Sequence, residues 1–147
     1  MARLGFADLA SRASSTGKIL LVEDNPDAQR ALQRAVAHLG HAVRAVSSAE
    51  EADQWLALER FDVCLLDIEL PRMSGVEFLD WALARDPEMA VIMLTGIDVP
   101  EVAVTCMEHG ARTYLVKPID QEFLRLALRD ALAVRSILVE RNDLSKP

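Results

Sequence analysis

A chain of 147 residues with 51% hydrophobic residues suits one globular domain whose core needs no disulfide or metal to hold it. Its formal charge of −7 argues against bulk attraction to a nucleic-acid backbone, no basic recognition element is visible, and no apolar run approaches the roughly 20 residues needed to span a bilayer. Cys64 lies in an apolar run and Cys106 in a helical pattern, so neither a disulfide framework nor metal-ligand spacing is present and a reducing cytoplasm fits.

Residues 1–17 carry Arg3, Asp8 and Arg12 without a long apolar core. They read as a flexible leader with one helical turn near Phe6 to Leu9, and Ser14 to Gly17 as a joint. Lys18 to Glu23 is a short apolar strand that stops at Asp24-Asn25-Pro26. Asp27 to Leu39 repeats at helical spacing through Leu32, Val36 and Leu39, and Gly40 ends it. Ala42 to Val46 is the second strand. Ser48 with Glu51 forms a capping box for a helix to about Glu59, with Ala52, Trp55, Leu56 and Leu58 available for burial. Phe61 to Leu66 is the strongest strand signal, apolar enough for a central parallel strand, and Asp67 ends it. Ser74 and Glu77 open a helix through Phe78, Leu79, Trp81 and Leu83. Ala90 to Leu94 is a strand ending at Thr95-Gly96. Pro100 to His109 is helical and closes at Gly110. Tyr114 to Val116 is a last strand ending at Lys117-Pro118, and a long helix starts near Asp120. Five strand–helix alternations define an open, doubly wound α/β sheet.

The polar residues fall where the strands end. Glu23 and Asp24 end strand one, Asp67 strand three, Thr95 strand four and Lys117 strand five. Ligands of open parallel sheets bind outside the carboxyl ends of the strands, so these residues converge on one edge. Singly, each is an ordinary turn or cap residue. Together, the three carboxylates suit Mg2+, which binds through a few carboxylates, water and substrate phosphate. An Asp carboxylate is a nucleophile for phosphoryl groups, and an ammonium and a hydroxyl offset charge on the transferred oxygens.

The arrangement resembles the receiver domain of bacterial two-component response regulators, the fold of the chemotaxis receiver protein. The resemblance covers residues 18 to about 132. It is carried by Leu66-Asp67-Ile68-Glu69-Leu70-Pro71-Arg72-Met73-Ser74-Gly75, by Leu94-Thr95-Gly96, by Gly110-Ala111 and by Tyr114-Leu115-Val116-Lys117-Pro118. Ser74 stands where an acidic residue is common and Leu70 where Met is common, and neither touches the chemistry. The resemblance implies a five-stranded flavodoxin-like sheet of order 2-1-3-4-5, with Asp67 as phosphoacceptor and Thr95 and Lys117 gripping the phosphoryl group. It implies Mg2+ held by Glu23, Asp24, Asp67 and the backbone carbonyl of Glu69. Thr95 and Tyr114 match a switch pair, and Lys117-Pro118 the family's cis peptide. A sensor histidine kinase or phosphotransfer protein would donate the phosphoryl group. The side chain of Glu69 is expected to influence attack by water.

Two rivals share the fold. A pseudo-receiver, a phosphorylation-independent interaction or dimerisation module, would be marked by loss of the acidic pair, the acceptor or the lysine, and all are present. A flavodoxin-like enzyme needs a Ser-, Thr- or Gly-rich phosphate loop after strand one, where Glu23-Asp24-Asn25-Pro26 stands instead. Residues 133–147 form a C-terminal helical extension or linker. Phe123, Leu124 and Ala127 are expected on the sheet, while Ala131, Val134 and Leu138 repeat like a coiled-coil seam for a homodimer. An ordinary last helix with a frayed tail stands beside that reading. Two alternatives stand for the whole: a piece of a longer protein with an output domain outside these 147 residues, or a complete single-domain regulator. Trp55 and Trp81 are expected to cover helix–sheet packing and Met73 to fill a loop gap. His38, His41 and His109 are too scattered for a metal or phosphotransfer site.

Overall fold

The structure is a computed structural model that describes residues 16–96 and 99–145, with side chains described up to residue 141. The leader's helical turn lies outside the described residues. Five strands alternate with five helices: β1 (Lys18–Val22), α1 (Pro26–His38), β2 (Ala42–Val46), α2 (Ala49–Leu58), β3 (Val63–Asp67), α3 (Gly75–Arg85), β4 (Ala90–Thr95), α4 (Pro100–Glu108), β5 (Thr113–Val116) and α5 (Gln121–Ser145). All strand pairs are parallel, in the order β2-β1-β3-β4-β5.

Period-two alternation along the strands divides the core into two layers. Leu20, Val22, Cys64, Leu66, Val91 and Met93 face α2, α3 and α4, where Ala52, Phe78, Leu79 and Cys106 meet them. Ile19, Leu21, Val63, Leu65, Ile92 and Leu94 face the other way, toward Leu32 and Val36 of α1 and Leu124, Leu128 and Ala131 of α5. With apolar residues on both faces, β3 and β4 are buried along their whole length.

Local chemistry fixes the helix ends. The side chains of Asn25, Ser48 and Ser74 accept backbone N–H bonds at the starts of α1, α2 and α3, and Asp120 accepts from Glu122 and Phe123 at the start of α5. Gly40 and Gly110 follow α1 and α4 with φ of 98° and 102°, a left-handed conformation that costs a side-chain-free residue little. The capping box at α2 is displaced by one residue: Glu51 N–H donates to Ser48 Oγ, but its carboxylate reaches Ser47 N–H instead of Ser48 N–H.

Four expectations shift. β3 begins at Val63, and Phe61 lies buried in the loop before it. Leu58 is 75% exposed and Phe123 64% exposed, because each points away from the sheet that its helix covers. Ala131 is fully buried in the domain core, so it cannot serve as a coiled-coil seam position. The two tryptophans sit as expected at the rim of the core. The Arg44 guanidinium lies 3.8 Å over the Trp55 ring, and Trp81 stacks on Phe78.

Candidate functional site

The order 2-1-3-4-5 places a switch point between β1 and β3, whose outgoing connections run to opposite sides. A cleft of about 270 Å³ opens there, lined by Glu23, Asp24, Asn25, Asp67, Glu69, Gly96 and Lys117. Four of the residues expected from strand ends and the phosphoacceptor loop thus meet Lys117 in one place.

Glu23 is fully buried and Asp67 only 3% exposed, while Asp24 and Glu69 are exposed. One carboxylate oxygen from each of Glu23, Asp24 and Asp67 lies within 4.8 Å of the others, a separation that one small cation bridges. Asp67 uses both oxygens. Oδ1 accepts the Glu69 N–H at 2.9 Å and Oδ2 accepts from Lys117 Nζ at 3.0 Å. The same ammonium pairs with Glu23 Oε1. The Lys117-Pro118 peptide is cis.

Burial, reinforced by the neighbouring Asp67 carboxylate, pushes the Glu23 carboxyl up to about 7, against the pull of Lys117. Burial pulls the Lys117 ammonium down, but its bonds to Glu23 and Asp67 outweigh this and hold it above its ordinary value. The cleft thus holds more negative charge than its one ammonium balances, which suits it to a further cation.

Thr95 ends β4, 2% exposed, and its carbonyl accepts the Lys117 N–H at 2.7 Å. Tyr114 stands away from the cleft. It pairs in register with Met93 and, half-buried, lines a groove with Val104, Met107 and Glu108 of α4.

One contributor escaped the sequence. Gln29 Nε2 donates to the carbonyls of Glu23 and Val46, both at 2.9 Å, and so ties the ends of β1 and β2 beneath the acidic pair. Its place one turn after the Asn25 cap was the only available signal. Gly75 lies against the acceptor strand: a Cβ there would come within 2.6 Å of the Asp67 carbonyl oxygen and of Ile68 Cα. Its N–H donates to Ile68 O at 2.8 Å.

A doubly wound parallel sheet with an acidic cleft and an invading lysine at its switch point defines the receiver class of signalling domains. The family model for the response regulator receiver domain matches residues 19–129, and the chain belongs to that family. It is similar to the alginate biosynthesis transcriptional regulatory protein AlgB of Pseudomonas aeruginosa, 33% identical over 88% of this chain and 29% of that protein. It is 33% identical to a cyclic di-GMP phosphodiesterase of Thermotoga maritima over 87% of this chain and 34% of that protein. The chain therefore spans about a third or less of the curated relatives it matches, the rest of which lies outside the shared receiver. A CheY-like receiver domain from Methanospirillum hungatei superposes with a TM-score of 0.78 at 30% identity, covering 83% of this chain and 98% of that one. NtrX from Brucella abortus gives 0.84 at 27% identity over 90% of this chain and 31% of that one. The chain is a receiver domain homologous to phosphorylatable response regulators.

Proposed function

We propose that this chain is a phosphorylation-operated switch in which Asp67 accepts a phosphoryl group from a histidine kinase or phosphotransfer protein. The observation that carries this is the placement of Asp67, nearly buried at the end of β3 with Lys117 Nζ at 3.0 Å and the Glu23 and Asp24 carboxylates beside it. In the transfer, an Asp67 carboxylate oxygen forms the new O–P bond as the P–N bond of a phosphohistidine breaks. The bonding pair returns to the imidazole nitrogen, and no redox partner is needed.

The donor set fits a hard divalent cation. Glu23, Asp24 and Asp67 would hold Mg2+ through their carboxylates and Glu69 through its backbone carbonyl. When bound, the ion supplies charge neutralisation on the phosphoryl oxygens. Lys117 holds the acceptor carboxylate in place and stands ready to pair with a phosphoryl oxygen, and Thr95 Oγ1 donates a hydrogen bond to another. The Thr95–Tyr114 pair is the switch, read out on the α4–β5 surface that Tyr114 lines. Residues 18–132 are the receiver unit and 133–147 its extension, helical as far as it is described, to Ser145. Among the described residues no helix is long and apolar enough to cross a membrane. Membership of the response regulator receiver family is what supports assigning the domain to the cytoplasm.

The test is a mass measurement after incubation with acetyl phosphate, with and without Mg2+. One added phosphoryl group is expected, dependent on Mg2+ and absent in Asp67→Asn. No gain under any condition overturns the proposal and leaves a pseudo-receiver.

A further inference from the structure

The opposite edge of the sheet holds a second charged cluster, built around a residue that a helical pattern would leave in solvent. Arg135 lies on α5, one turn beyond Ala131, with a side chain only 8% exposed. Its Nε is 3.4 Å from Asp62 Oδ1 and its Nη1 3.3 Å from Asp86 Oδ2. A buried guanidinium is costly unless opposite charge surrounds it, and two carboxylates supply that charge here.

Both carboxylates are fixed by the backbone. Asp62, in the loop before β3, accepts the Lys18 N–H on Oδ2 at 2.8 Å, while its own N–H and C=O bond to Lys18 O and Ala90 N. Asp86 caps α3, and its Oδ1 accepts the Glu88 N–H at 3.0 Å. Each carboxylate thus spends one oxygen on the fold and offers the other to Arg135. Leu132, one turn earlier on α5, packs against Gly17, where an added Cβ would lie 2.4 Å from Leu132 Cδ2. Beyond Arg135 the helix leaves the domain: no described residue from Ser136 to Arg141 is buried, and Ile137 is 63% exposed.

We infer that Arg135 is an orientation lock that fixes the direction in which α5 leaves the receiver, so that the helix from Ser136 onward is a rigid arm. The two anchors lie at the starts of β1 and β3 and at the end of α3, so the arm is referenced to the central sheet. β3 separates Asp62 from Asp67 by five residues, about 17 Å, so the lock acts without touching the acceptor site. Arg135 is a positioning residue in this scheme and takes no part in phosphoryl chemistry.

Spin labels on Leu58→Cys and Glu140→Cys, both exposed positions, report the arm's direction by double electron–electron resonance; the native Cys64 and Cys106 are buried. The wild-type background should give one narrow distance distribution. Arg135→Met should broaden it by about twofold or more, as expected when a buried pair that anchors an element is removed. Acetyl-phosphate labelling of Asp67 should stay unchanged in the same variant. The double variant Asp62→Asn with Asp86→Asn keeps both backbone-bonding oxygens and removes the charge that faces Arg135, and should broaden the distribution equally. It decides the matter where Arg135→Met fails to fold. A loss of global stability alone would leave the width unchanged, and a narrow distribution in the variants that fold overturns the lock.

Discussion

The Lys117 ammonium lies 3.0 Å from Asp67 Oδ2 and pairs at the same time with Glu23 Oε1, so one cation is shared by two buried carboxylates. Removing one partner of a buried pair leaves the other uncompensated, at a cost of about 3–5 kcal/mol. Lys117→Met should therefore lower metal-free stability at pH 8 by roughly that amount, read as the shift of a urea midpoint. It should also slow phosphoryl uptake by about 100-fold or more, as loss of a preorganised charge at a transfer site does. Uptake at the wild-type rate would remove Lys117 from the chemistry.

Glu23 sets a pH dependence of opposite sign to the usual carboxylate. Its pKa rises from 4.5 to about 7 on folding, chiefly through burial, so the native state holds a proton that the unfolded chain has released. The associated stability is complete below pH 4.5 and is lost as pH rises through about 7. Metal-free protein should therefore unfold at a higher urea concentration at pH 5 than at pH 8, with a difference on the order of 3 kcal/mol at most. Lys117, raised above 10.5, keeps its contribution throughout this window and does not disturb the comparison. Glu23→Gln should remove this fall and leave the opposite rise contributed by His41, whose half-buried imidazole titrates below its ordinary 6.5. A Glu23→Gln profile that falls as the wild type does would contradict the assignment.

Most of the fold was legible because apolar runs and polar punctuation coincide. β3 and β4 are buried on both faces and read as unbroken apolar runs, and each strand that reaches the cleft ends in, or is followed directly by, a charged or hydroxyl residue. Which helix face meets the sheet was less legible. Leu58 and Phe123 belong to apolar stripes yet point outward, and Ala131 belongs to the core where spacing suggested a seam. Helical periodicity gives a stripe, while tertiary neighbours decide how far round it extends. Arg135 was invisible for a related reason. A charged residue at helical spacing reads as solvated, and its partners Asp62 and Asp86 are brought to it only by the sheet.

Asp24 should separate stability from metal binding. It is the exposed member of the acidic group, with its carboxylate within 4.8 Å of two like charges. Asp24→Asn removes repulsion and should leave metal-free stability unchanged or raise it by about 0.5–1 kcal/mol, while weakening Mg2+ binding by roughly tenfold or more. Calorimetric titration with Mg2+ and a urea curve in EDTA give the two numbers. Mg2+ affinity equal to wild type would exclude Asp24 from the ligand set.

Gly75 tests how tightly the acceptor loop is tied to the start of α3. Its φ is ordinary, so the constraint is one of space: an added Cβ would lie 2.6 Å from the Asp67 carbonyl oxygen and 2.6 Å from Ile68 Cα, both backbone atoms of the acceptor segment. Flexible side chains can step aside from such an approach, but this backbone is held on its far side by the Ile68 N–H bond to Leu94 O at 2.9 Å. Either α3 moves outward and loses the Gly75 N–H bond to Ile68 O, or the end of β3 shifts and carries Asp67 with it. Gly75→Ala should cost about 2–4 kcal/mol, in the range of overpacking with loss of a buried hydrogen bond, although alanine favours a helix more than glycine does. Phosphoryl uptake in the folded fraction should fall as well, because a displacement of an ångström at a transfer site costs about 100-fold. A stability gain of the size helix propensity alone predicts would show that the two segments are not in contact.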